Sequence, residues 1–151
     1  MTGPAGGSSP GGALAPAPEL RSALRGIRAL VLDADGVLVM RGAALPGARE
    51  ALARLDERDI PYRVATNISS LHRETLAARF ARTGLPIPAE RIVTALSATV
   101  EDVRRTYPGR PIFVLTHPDG LREFGDHPRL AREEADADGA TVAAVIFGDA
   151  D

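Results

Sequence analysis

Asp33-Ala34-Asp35-Gly36-Val37-Leu38 follows directly on the apolar run Ala29-Leu30-Val31-Leu32. Two carboxylates one residue apart point different ways, so one can attack or hold a cation while the other moves protons. Gly36 lets the chain turn sharply away. An ordinary acidic turn is the plain alternative, since Asp and Gly are common in turns. A calcium loop is a poorer match, because its Asp-x-Asp-x-Asp-Gly spacing is not met. A second cluster, Thr66-Asn67-Ile68-Ser69-Ser70, begins with a hydroxyl and an amide. It leads into a helix N-terminus, whose free N–H groups and dipole favour an anion. Here the plain alternative is a capping loop. A carboxylate nucleophile beside a phosphate cradle, in this order, is a coherent set for phosphoryl transfer.

Both clusters sit where an α/β fold would deliver them. Ala29–Leu32 reads as a strand buried on both faces, and Tyr62-Arg63-Val64-Ala65-Thr66 as a second strand. Between them Ala48, Ala51, Leu52 and Leu55 share one helical face after Pro46-Gly47. Ser69 or Ser70 can cap the next helix, which carries Leu76, Ala77 and Phe80 and stops at Gly84. Strand–helix–strand at this spacing predicts a parallel sheet with right-handed crossovers. Ligands of such sheets bind beyond the carboxyl ends of the strands.

Further along, Arg91–Thr94 predicts a short strand, and Leu96, Val100 and Val103 a helix that ends before Pro108-Gly109. Pro111–Leu115 and Val142–Phe147 predict two more buried strands, separated by polar helical pieces. The Arg132–Asp138 charge run reads as a solvated helix face. His72, His117 and His127 have no ligand spacing and read as solvent-facing, while Arg73 or Arg122 could reach a substrate phosphate. Residues 1–18, almost wholly Gly, Pro, Ala and Ser, read as a disordered tail, followed by a short helix at Glu19–Arg25. The tail makes a poor signal peptide, which places the chain in the cytoplasm.

Composition excludes several classes. The 151 residues contain no cysteine, so disulfides, thiolate metal sites and cysteine nucleophiles are absent. A net charge of −2 and 4% aromatics argue against a nucleic-acid partner. No apolar stretch approaches the ~20 residues that span a bilayer. All 18 basic residues are Arg, so no ammonium side chain is available to any mechanism.

Asp33-Ala34-Asp35-Gly36-Val37-Leu38 and Thr66 resemble the first two motifs of the haloacid dehalogenase-like phosphohydrolases. Leu45-Pro46-Gly47-Ala48, Thr66–Ser70, Ile92-Val93-Thr94 and Val145-Ile146-Phe147-Gly148-Asp149 resemble its class IIA, NagD-like branch, from about Ala29 to the end. The resemblance implies an incomplete Rossmann-like core at 19–95 and part of an inserted α/β cap at 96–151. It implies a Mg²⁺-dependent phosphatase of small phosphorylated metabolites. Asp33 would attack phosphorus and bind Mg²⁺, while Asp35 would serve as acid and base with its backbone carbonyl on the metal. Thr66 and the backbone around Asn67 would hold the phosphoryl oxygens. The family's third-motif lysine has no counterpart in a chain without lysine. Gly148-Asp149 imitates its fourth, acidic motif but resembles a cap strand, which puts the true third and fourth motifs beyond Asp151. The chain then reads as the front part of a larger enzyme, weak or inactive alone, with an exposed edge on its first strand that invites self-association. The alternative is a non-catalytic fragment or pseudo-enzyme that binds phosphate or Mg²⁺ or pairs with another chain. A phospho-acceptor receiver domain ranks third, since it too expects a strand-end lysine.

Overall fold

The computed structural model describes residues 25–149. The expected tail and the expected Glu19–Arg25 helix lie outside these residues, save for Arg25 in a turn. Strand β1 (Leu30–Asp33) leads into a hairpin of β2 (Val39–Met40) and β3 (Ala43–Ala44). Helix α1 (Ala48–Glu57), β4 (Tyr62–Thr66), α2 (Arg73–Arg82), β5 (Ile92–Thr94) and α3 (Ala95–Thr106) follow. The remainder holds β6 (Phe113–Leu115), α4 (Pro118–Leu121), α5 (Arg132–Ala135) and β7 (Val145–Phe147).

The main sheet has the order β1-β4-β5, parallel throughout, with Asp33 in register with Ala65 and Thr66 with Thr94. Side chains alternate across it. Leu30 and Leu32 of β1, with Tyr62 and Val64 of β4, join Leu52, Leu76, Phe80, Leu85, Ile87 and Ile92 in one apolar core. Burying each such side chain contributes about 1.5–3 kcal/mol. The opposite face is open: Val31 is 74% exposed and Val93 40%. The expectation that β1 is buried on both faces is therefore corrected. Its unbroken apolar run cannot distinguish one covered face from two, and the described residues place helices on one side only.

A second core of Leu96, Val100, Val103, Ile112 and Phe124 lies beyond β5, flanked by Val114 and Ile146. Strands β6 and β7 form their own parallel pair, in register at Val114–Ile146, and join no strand of the main sheet. Their other face carries Leu115 and Phe147, 37% and 76% exposed, so these strands too are half-buried rather than buried.

Local chemistry explains the turns. The β2–β3 hairpin reverses at Arg41-Gly42, with φ of 50° and 78°, the paired positive angles a two-residue turn needs to match strand twist. Thr94 and Ser97 form a reciprocal cap at the start of α3, each side chain accepting the other's amide at 2.9 Å. Gly84 takes φ +85° just past α2, as the sequence anticipates for a helix stop.

Candidate active site

The carboxyl ends of β1 and β4 lie side by side. Past Asp33 the Ala34 amide still donates to Ala65 O at 3.0 Å, so the loop stays tied to β4 for one more residue. Ala34 O then accepts from the amides of Leu38 and Val39, and the Gly36 amide donates to Val39 O at 2.8 Å. The Asp35–Val37 segment is thereby folded back on itself, with Gly36 at φ +80° making the reversal. Asp33 and Asp35 are both exposed, one at the strand end and one on the loop. Asp35 and Val39 also border a hollow of about 180 Å³ against Ile68, Phe80 and Arg79.

Thr66, 7% exposed, sits at the end of β4 on the core side of the sheet, whereas Asp33 follows the alternation of the open side. Both nonetheless reach the same edge. Thr66 Oγ1 receives the Ile68 amide at 3.5 Å, and Asn67 is exposed. Asp33, Asp35, Thr66 and Asn67 are thus brought to one end of two adjacent strands. The Asp33 carboxylate and the Asp35 backbone carbonyl are hard oxygen donors of the kind that suits Mg²⁺, which is held by one or two carboxylates with water and substrate phosphate completing its shell. Among the described residues no group of three or more His, Asp or Glu is placed to hold a metal ion.

The α2 N-terminus corrects the sequence reading. Its cap is His72, not Ser69 or Ser70, with the Glu74 amide donating to His72 Nδ1 at 3.3 Å. Nor are its amides open to an outside anion. The His72 amide donates to Asp119 Oδ2 at 2.9 Å, and the Arg73 amide to Glu123 Oε1 at 2.6 Å. The positive end of the helix is neutralised from within, by side chains that follow almost 50 residues later. Arg73 and Arg122, considered above for substrate phosphate, are engaged as well. Arg73 Nε pairs with Glu123, and Arg122 with Asp119 and Glu74. Burial pushes the Asp119 carboxyl up, but the His72 amide, Arg122 and the Thr75 hydroxyl outweigh it and hold the group at about 2.

The histidines are also reassigned. His117 caps α4, receiving the Asp119 amide at 3.1 Å, and His127 is buried with Nε2 3.1 Å from Arg110 O. Sequence reasoning missed Asp119 and Glu123 altogether. Pro118 in a first turn marks a helix start, but no local signal says which distant helix the acids will cap.

A parallel α/β sheet binds its ligands beyond the carboxyl ends of its strands, which is where these acids and this hydroxyl lie. The family profile of haloacid dehalogenase-like hydrolases matches residues 30–127, and the chain belongs to that family. It is 42% identical over 67 residues to the dihydroxyacetone phosphatase of Corynebacterium glutamicum, covering 44% of this chain and 24% of the relative. It is 34% identical over 139 residues to human chronophin, covering 85% and 47%. The solved structure of NagD from Escherichia coli K-12 superposes with a TM-score of 0.70 at 28% identity, covering 82% of this chain and 46% of that one. The chain thus spans from about a quarter to about half the length of these relatives. No helix of the described residues is long and apolar enough to cross a membrane.

Proposed function

We propose that this chain is the front part of a phosphatase of small phosphorylated metabolites that works through an aspartyl phosphate. The observation that carries the reading is the pairing of Asp33 with Ala65, which sets the nucleophile's strand end beside Thr66. Asp33 Oδ attacks phosphorus while the bond to the leaving oxygen breaks, and Asp35 donates a proton to that oxygen. Asp35 then takes a proton from water, whose oxygen attacks the aspartyl phosphate, releasing inorganic phosphate and restoring Asp33. Thr66 Oγ1 and the amides around Asn67 hold the phosphoryl oxygens through both steps. Asp33 through its carboxylate and Asp35 through its backbone carbonyl would hold Mg²⁺, which would supply positive charge to offset the negative charge of the phosphoryl group.

Residues 19–95 belong on this reading to the catalytic core and 96–151 to part of a cap, a division supported by the separate apolar clusters on either side of β5. The missing lysine sets the expected rate. Loss of one electrostatic stabiliser costs about 10²–10³ in turnover, so this chain alone is a slow enzyme. The open edge of β1 and the exposed Val31 support self-association of the chain through that edge.

Release of 4-nitrophenol from 4-nitrophenyl phosphate, with and without Mg²⁺, tests the reading on the chain and its Asp33→Asn variant. Slow, Mg²⁺-dependent turnover that disappears in the variant is the expected result. Equal release by both proteins would sink it and leave a non-catalytic fragment that binds phosphate or Mg²⁺.

A further inference from the structure

The loop that follows Thr66 supplies little of its own support. Inside it the Ile68 amide reaches Thr66 Oγ1 at 3.5 Å, at the long end of hydrogen-bond range. Ile68 packs against the first core, and residues 96–149 supply further hydrogen bonds. Thr116 Oγ1 donates to Ser69 O at 2.8 Å, and the Asp149 amide donates to Ser69 Oγ at 2.9 Å. Gly148 lies flat against the same residue: a Cβ there would stand 2.8 Å from Ser69 O and 2.6 Å from Thr116 Oγ1. Gly120 presses on the next residue, where a Cβ would meet Ser70 O at 3.0 Å. Leu71 is buried in the first core, and the amides of His72 and Arg73 are taken by Asp119 and Glu123.

Thr66 itself is fixed differently, in register with Thr94 of β5. What the downstream unit decides is the course of the chain immediately after Thr66. Those are the amides that would meet a phosphoryl group on the reading above, on which this inference rests.

We propose that Thr116 and Gly148 are positioning residues, which hold the Asn67–Ser70 loop in its phosphate-receiving conformation through Ser69. The group they serve is a phosphoryl oxygen at the strand end. They touch neither it nor Asp33, and they act by fixing Ser69 three residues past Thr66. Gly148 is required because Ser69 O and the Thr116 side chain leave no room for a methyl group there, while its φ is not of the left-handed kind that would restrict Ala.

Hydrogen exchange of the 151-residue chain, read by mass spectrometry with and without inorganic phosphate plus Mg²⁺, tests this. The variants are Gly148→Ala and Thr116→Val. Without ligand, both should raise exchange of the 67–72 segment about tenfold, the scale of one lost hydrogen bond, and leave α1 unchanged. Phosphate should slow that segment in the wild-type chain and do so at least about tenfold less effectively in the variants. Unchanged loop exchange in both variants overturns the proposal. So does loosening of the loop with phosphate protection intact, which would make the contact structural only while the phosphatase reading stands. Absence of phosphate protection in the wild-type chain overturns that reading and the positioning role with it. If Gly148→Ala exchanges everywhere, Thr116→Val, which keeps the side chain's shape, decides the outcome.

Discussion

Glu123 receives both the main chain and the side chain of Arg73: Oε1 lies 2.6 Å from the Arg73 amide, and Nε stands 3.2 and 3.1 Å from the two oxygens. One carboxylate therefore caps a helix, offsets its dipole and closes an ion pair, with its side chain only 1% exposed. Glu123→Ala should destabilise the fold by about 1.5–3 kcal/mol, the range for hydrogen bonds to a charged group. Glu123→Gln keeps an acceptor for the amide and should cost less than half as much. Urea unfolding of the three proteins checks this, and equal losses in both variants would show that the charge carries the whole effect and a neutral acceptor none of it.

Asp119 makes stability depend on acid. Its folded value, about 2, lies below the ordinary 3.8, so the stabilisation is fully present above 3.8 and is lost as pH falls toward about 2. Asp119→Asn should flatten the pH dependence of the thermal midpoint across that window. A midpoint that falls as steeply in the variant would place the acid sensitivity elsewhere.

Gly36 turns the chain immediately after Asp35 at φ +80°, with no heavy atom within 4 Å of where a Cβ would be. Gly36→Ala should therefore cost only the backbone strain, about 1–2 kcal/mol. It should lower 4-nitrophenyl phosphate turnover by more than that loss of stability explains, because Asp35 is displaced. Unaltered turnover in a folded variant would separate Asp35 from the chemistry.

Val31, 74% exposed on the open sheet face, can be changed without touching the core. Val31→Arg should leave stability within about 0.5 kcal/mol and suppress concentration-dependent association in sedimentation velocity. Association that persists unchanged would move the contact off this face.

Much of the fold was legible because it rests on local rules. Tyr62–Thr66 is a strand, Leu76 and Phe80 face the core of α2, and Gly84 stops that helix, all as their types and spacing predict. Asp33 and Thr66 could be placed at one edge for the same reason, since parallel strands joined by a helix present their carboxyl ends together. The failures were nonlocal. Nothing in Val31 or Phe147 says whether a layer will cover it, so both strands read as buried. Nothing near Ser69 or Ser70 says that His72 will cap the helix instead, or that Asp119 and Glu123 will fill the amides that an outside anion seemed free to take. Arg73 looked available for the same reason, because Glu123 lies 50 residues away; Arg122 pairs both with Glu74, 48 residues away, and with Asp119, three residues away.

The distances along the chain at which α2 finds its partners also set an order of assembly. Its core face can dock as soon as β1, β4 and β5 exist, but His72 waits for Asp119, 47 residues on, and Ser69 waits for Asp149, 80 residues on. During synthesis the sheet and the body of the helix can therefore condense first, with the first turn frayed until the later segment emerges and closes the long loop. The strand ends that carry the acids are made early, and the loop beside them is set last.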